Sequence, residues 1–178
     1  MSRGRPLVLD ASAAVAIARR EAEGAFATAM VVARTRACER VVVPSHFWLE
    51  VANALIRRRG WKSEAIFEAV FELDSLGLET IETDRATLLY AVDLAERHGL
   101  TPYDAMYLAL TDSIEGDLLT FDQALRDAAG ERALGPDRGH RLSEPPTPYE
   151  HDVTWPDYKG ASAYLAKLRI EARGAATS

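Results

Sequence analysis

Apolar positions along this chain follow two rhythms. Leu7-Val8-Leu9, Val41-Val42-Val43 and Leu118-Leu119-Thr120 are short, nearly uninterrupted apolar runs, the pattern of strands buried on both faces, and Leu78 to Ile81 behind Gly77 adds a fourth. Helical periods fill the intervals. An alanine-rich helix is expected from Ala11 to about Arg20, and a second from Ala25 to Ala37, set off by a break at Gly24. Ser45 is placed to N-cap a helix running to about Arg59, with Phe47, Val51, Ala54 and Leu55 on its buried stripe. Further helices are predicted from Trp61 to about Asp74, from an Asp84 cap to about His98, and from Thr101 to near Gly116. The last of these carries Tyr103, Met106, Tyr107, Leu110 and Ile114 at helical spacing. A short helix opens after Phe121-Asp122, where Thr120 and Gln123 can form a capping box.

Beyond Gly130 the pattern changes. Residues 131–156 are rich in proline, glycine and charge and read as loop, with a weak last strand at Arg141-Leu142. From Asp157 to about Arg173 an amphipathic helix is expected, with Tyr158, Ala161, Leu165 and Leu168 on one side. The alternation of strands and helices predicts an α/β fold, a short parallel central sheet flanked by helices, with an extra C-terminal helix. The expected division is one domain over residues 5–142 and a C-terminal extension of loop plus helix over 143–178.

A chain of 178 residues, 48% apolar, is long enough for one substantial core. Its formal net charge of -6 argues against nucleic-acid binding by overall charge and leaves room for a local acidic pocket. A single cysteine, Cys38, excludes an internal disulfide, suits a reducing compartment and reads as a small buried residue or a bystander. No run reaches the roughly 18 apolar residues of a membrane span, and the basic Met1–Pro6 segment leads into too few apolar residues for a signal peptide. A soluble, cytoplasmic protein is the expectation.

Four acids stand out by position. Asp10 and Asp122 each appear where a strand ends and a helix begins, the edge where open α/β sheets gather ligands. Asp104 lies in the first turn of a helix that Thr101 caps and Pro102 opens. Glu50 lies on the shoulder of its helix's buried stripe, with Asn53 and Arg57 on the same side. Each has a bland account: a cap for Asp10, a capping box for Asp104, a solvated flank for Glu50. Parallel strands bring Asp10 and Asp122 to one edge, and helices entering there can add Asp104 and Glu50, a convergence that capping does not explain. Carboxylates sharing a pocket repel, and a divalent cation relieves the conflict. A hard, all-oxygen donor set suits Mg2+ or Mn2+ better than zinc, and none of the four histidines has zinc-ligand spacing. Such a site supports phosphodiester hydrolysis. The cluster Arg57, Arg58, Arg59 and Lys62 is either a helix C-terminal complement to the macrodipole or a phosphate-contacting patch.

In four segments the chain resembles the PIN-domain ribonucleases, specifically the VapC-type toxins of bacterial toxin–antitoxin pairs. They are Leu7-Val8-Leu9-Asp10-Ala11-Ser12, Pro44 through Glu50-Val51-Ala52-Asn53-Ala54-Leu55, Leu100-Thr101-Pro102-Tyr103-Asp104-Ala105-Met106-Tyr107, and Leu118-Leu119-Thr120-Phe121-Asp122. The resemblance implies a PIN-like fold and an acidic quartet of Asp10, Glu50, Asp104 and Asp122 around Mg2+ or Mn2+. It makes Asp10 and Asp104 direct ligands, and Asp122 a ligand through water or a second ion. Glu50 positions the ion or the attacking water, and Ser12 and Thr120 give polar support, with Asn53 counted beside them. It further implies an endoribonuclease acting as a toxin, a homodimer, and silencing by a cognate antitoxin. The segment beyond about residue 142 lies outside the resemblance. Two other readings remain: a non-catalytic PIN-like scaffold for RNA or protein binding, and an Asp-nucleophile phosphatase. The phosphatase reading is weakened because Ser12 stands where its second acid is wanted.

Overall fold

Leu7, Val8 and Leu9 have no exposed surface, because the strand they form lies in the middle of a sheet covered on both faces. The computed structural model describes residues 4–136; Arg141-Leu142 and the helix expected over 157–173 lie outside the described residues. Within that span five parallel strands, β1 (Leu7–Leu9), β2 (Val41–Pro44), β3 (Glu79–Ile81), β4 (Asp117–Leu119) and β5 (Ala133–Leu134), are ordered β3-β2-β1-β4-β5. Leu7 pairs with Val41 on one side and Asp117 on the other, which aligns the ends of the three central strands. The chain builds outward from β1 to β2 and β3, then returns to place β4 on the opposite side. The β1/β4 boundary is therefore the point where strand order reverses, the usual position of a ligand crevice at the carboxyl edge.

Among the described residues seven α-helices flank the sheet: α1 (Ala11–Ala18), α2 (Ala22–Arg36), α3 (Phe47–Arg59), α4 (Ser63–Asp74), α5 (Arg85–His98), α6 (Pro102–Ser113) and α7 (Gln123–Ala129). α6 is the central one, buried from Ala105 through Thr111 and packed against β1, β2 and β4 as well as α5 and α7. Phe47, Val51 and Leu55 of α3 enter the same core, as the stripe predicts. No described helix is long and apolar enough to cross a membrane.

Several local expectations are corrected. Gly24 does not break the chain; it lies inside α2, where a Cβ would meet the Ala16 carbonyl oxygen at 2.2 Å, so its role is close packing of α2 on α1. Ser45 is not the cap of α3. That position is His46, in helical conformation with no side-chain cap bond; Ser45 continues the β2–β3 pairing, its N–H bonding the Ile81 carbonyl at 3.0 Å, and the helix starts after it. Tyr103 is exposed, since the first turn of α6 emerges at the sheet edge before the helix becomes buried. Cys38 is exposed, in a left-handed turn at φ 57°. A strand appears at Ala133–Leu134, inside the segment expected as loop, paired with β4.

Candidate active site

The carboxyl ends of β1 and β4 are tied together by two hydroxyls. Thr120 donates to Asp10 Oδ2 at 2.8 Å and accepts from the Asp122 N–H at 3.1 Å. Ser12 donates to the same Oδ2, which also accepts from the Ser12 N–H at 3.2 Å, and Ser12 Oγ accepts from the Phe121 N–H at 2.9 Å. Ser12 and Thr120 thus fix Asp10 and the start of the β4–α7 connection as one unit. The Thr120–Gln123 capping box does not form: Thr120 is engaged with Asp10, and Gln123 bonds Asp127 at 2.7 Å. Asp122 itself caps α7, its Oδ1 accepting from the Leu125 N–H at 2.9 Å.

The other two acids come from helices. Thr101 caps α6 by accepting from the Asp104 N–H at 3.2 Å, and its hydroxyl donates to Asp104 Oδ2 at 2.7 Å. The carboxylate therefore reaches the Thr101 hydroxyl rather than the Thr101 amide. Glu50, in the first turn of α3, accepts at Oε2 from the Tyr107 hydroxyl at 2.8 Å. Asp10, Glu50, Asp104 and Asp122 all line one cavity of about 430 Å3, together with Ser12, Arg19, Glu21 and Glu23. Among the expected supporting residues, Ser12 and Thr120 contact Asp10, whereas Asn53 is exposed and does not line the cavity. Arg57 and Lys62 are exposed outside the cavity lining, and the side chains of Arg58 and Arg59 lie outside the described residues.

One geometric pattern recurs in all four acids. Among the described residues, the hydrogen bonds to Asp10 reach Oδ2, to Glu50 Oε2, to Asp104 Oδ2 and to Asp122 Oδ1. Among the described residues, the second oxygen of each carboxylate accepts no hydrogen bond. Each acid thus has one carboxylate oxygen held by the fold, and all four acids line the same cavity.

The electrostatics match. Burial raises the Asp10 pKa above the usual carboxylate range, opposed by the Ser12 and Thr120 hydrogen bonds and reinforced by the charge of Asp104. Glu50 is pushed up to about 7, first by burial and then by the charges of Asp10, Asp104 and Asp122, against the lowering effect of the Tyr107 hydrogen bond. Burial, with Asp10 and Glu50 nearby, raises Tyr107 too, so it remains a phenol donor. Four carboxylates lining one cavity fit a hard divalent cation by donor type and by charge. Among the described residues no group of three or more His, Cys, Asp or Glu side chains is gathered closely enough to hold a metal ion, so the fit is one of donor type and charge, with the acids spread around the cavity.

Two neighbours were not singled out by the sequence pattern. Among the described residues His46 Nε2 is buried without a hydrogen-bond partner, 3.8 Å from Glu50 Oε2, and its ring meets the edge of Tyr107 at 5.2 Å. Burial lowers its pKa, against the raising effect of a Tyr103 backbone hydrogen bond and the charge of Asp104. Tyr107 reads in the sequence as one more core aromatic, and it is wholly buried; only the tertiary fold brings its hydroxyl to Glu50.

Known proteins share this arrangement of elements. The structure is similar to the crystal structure of PAE2754 from Pyrobaculum aerophilum, at 23% identity and a TM-score of 0.56, over 72% of this chain and 83% of that one. It is also similar to Mycobacterium tuberculosis VapC20, a sarcin-ricin loop cleaving toxin, at 19% identity and a TM-score of 0.56, over 73% of this chain and 99% of that one. Comparison with curated proteins finds no match. The family model described as PIN domain matches residues 7–131, a span that contains all four acids and both hydroxyls that brace them, and the chain belongs to the PIN domain family.

Proposed function

We propose that this chain is a Mg2+- or Mn2+-dependent endoribonuclease acting as the toxin of a toxin–antitoxin pair, with residues 5–142 as its catalytic domain and 143–178 as an extension. The observation that carries the reading is the set of four carboxylates from four separate segments. Each has one oxygen tied to the fold, and all four line a shared cavity. Asp10 and Asp104 would hold a divalent cation directly, and Asp122 through water or as part of a second site. When bound, such an ion supplies Lewis acidity and charge neutralisation at a scissile phosphate. Glu50, oriented by Tyr107, positions the attacking water and takes up its proton; a carboxyl poised near neutrality suits that task. Ser12 and Thr120 hold Asp10 rigidly while the ion and substrate exchange.

The likeness to VapC20 supports a structured ribosomal RNA loop as the first substrate to try, and supports a protein antitoxin as partner. A cytoplasmic homodimer completes the proposal. Its physical support is apolar exposure: Leu49 and Ile56, two turns apart on α3, and Leu88, Leu89 and Val92 on α5 are all exposed.

The test is RNA cleavage by the purified chain with Mg2+ or Mn2+, with and without EDTA, beside Asp104→Asn. Asparagine keeps the size and can still accept from the Thr101 hydroxyl, but lacks the charge. Cleavage is expected only with metal, and the variant should fold and lose activity by about two to three orders of magnitude. Equal cleavage by both proteins overturns the proposal.

A further inference from the structure

For an RNA ligand the cavity presents a charge problem. Glu21 and Glu23 join Asp10, Glu50, Asp104 and Asp122 in its lining, and among the described residues one cationic side chain, Arg19, lines it with them. A divalent cation offsets part of this charge, but the phosphates flanking the scissile one also need a counter-charge near the same wall.

Arg19 sits at a rigid corner. It is the C-cap of α1; Arg20 turns the chain in left-handed conformation at φ 53°; and Glu21 is the N-cap of α2. The corner is fixed from below by the Glu21 N–H bond to the Ala16 carbonyl at 3.0 Å and by the close approach of Gly24 to that same carbonyl. The backbone is thus held while the two side chains meet above it, Arg19 Nη2 lying 2.7 Å from Glu21 Oε1. Glu21 makes no side-chain cap bond to α2, so its carboxylate is left for this pair. The Arg19 side chain is only 20% exposed and that of Glu21 37%, so the pair lies at the cavity wall, within reach of solvent. A partly exposed pair of this kind contributes little and exchanges readily, whereas a guanidinium meets a phosphate with two parallel hydrogen bonds.

The geometry points to Arg19 as the phosphate-binding residue of this site. It grips a backbone phosphate next to the scissile one, and Glu21 holds the guanidinium in place until RNA displaces it. This inference rests on the ribonuclease reading of the cavity. Arg19 acts here on the substrate's backbone, so it adds affinity without sequence preference.

The test compares the full chain with Arg19→Ala, Glu21→Gln, Glu23→Gln and the Arg19→Ala/Glu21→Gln double variant. Affinity is read by fluorescence anisotropy with a fluorescein-labelled RNA of randomised sequence, about 20 nucleotides long, in Ca2+ over a range of KCl concentrations. Thermal melts check folding, and metal-dependent cleavage by the wild type is measured in parallel. Arg19→Ala is expected to weaken binding about tenfold and to lower the salt slope by about 1. Glu21→Gln is expected to tighten binding about threefold, more than Glu23→Gln, which removes the same charge without freeing Arg19. In the double variant the gain from Glu21→Gln disappears. A merely structural ion pair predicts instead that Arg19→Ala and Glu21→Gln shift affinity in the same direction or leave it unchanged. Either result overturns the inference. If the wild type cleaves and binds RNA but the signs agree, Arg19 alone fails. If it binds with opposite signs but never cleaves, the nuclease reading fails while the phosphate site stands. A wild type that binds no RNA overturns both.

Discussion

At the scale of single residues, each of the four acids has one carboxylate oxygen held by the fold, and the groups that hold it do more than pack. Tyr107 is the clearest case. It is wholly buried among apolar neighbours, yet its hydroxyl is the described hydrogen-bond donor that holds Glu50. Tyr107→Phe keeps the ring and removes the donor, leaving a largely buried carboxylate oxygen without its partner. A loss of about 1–3 kcal/mol of stability is expected in thermal or urea unfolding of the metal-free protein at neutral pH. Because the Tyr107 bond lowers the Glu50 pKa, removing it should move the acidic limb of the cleavage rate to higher pH. An unchanged limb would show that Glu50 does not set it. Asp10, Asp104 and Asp122 are legible in the sequence because each follows a local rule, a strand end or a helix cap. Glu50 is legible only by analogy of position, and Tyr107, His46 and Arg19 are not, because their significance lies in contacts between segments far apart in the chain.

At the scale of elements, buried strands announce themselves by continuous apolar runs, and β1, β2 and β4 fall where those runs lie. Capping is less legible, because a hydroxyl or carboxylate able to cap can be claimed by a tertiary partner. Thr120 is claimed by Asp10, while Ser45 lies just outside α3, its N–H bonded across to the end of β3. Gly24 shows the same limit for helix breaks. Alone it signals an interruption; in the fold it is the point where α2 comes against the α1 backbone. These two readings make opposite predictions for Gly24→Ala. As an exposed helical glycine it should gain roughly 1 kcal/mol on substitution. With a Cβ 2.2 Å from the Ala16 carbonyl oxygen, and backbone rather than a pliable side chain in the way, α1 and α2 must move apart. A net loss of about 2 kcal/mol, with a Tm lower by about 5 °C, is expected. A rise in Tm would mean the corner yields freely, and it would also remove the rigid base from under Arg19 and Glu21.

At the scale of the whole molecule, the acidic cavity links stability to pH and to metal in opposite senses. Glu50 has a folded-state pKa of about 7 against an ordinary value of 4.5, so the folded state binds the proton more tightly than the unfolded chain does. Its contribution therefore favours folding below about 4.5 and is lost as pH rises to about 7; Asp10, also raised, acts in the same direction. His46 acts in the opposite direction, its lowered pKa disfavouring the folded state in acid, so the informative quantity is the difference between wild type and Glu50→Gln. In EDTA, the wild type should lose about 1–2 kcal/mol relative to that variant between pH 5 and pH 8, a figure reduced for the third of the Glu50 side chain that meets solvent. The proposed Mg2+ or Mn2+ would bind the ionised carboxylates, so added metal should stabilise the wild type at pH 8 far more than at pH 5, closing the gap. Melts of the two proteins at both pH values, with EDTA and with metal, decide it. Parallel EDTA profiles would remove Glu50 from the shared charge of the cavity. A metal effect equal at both pH values would mean that the ion binds somewhere other than these acids.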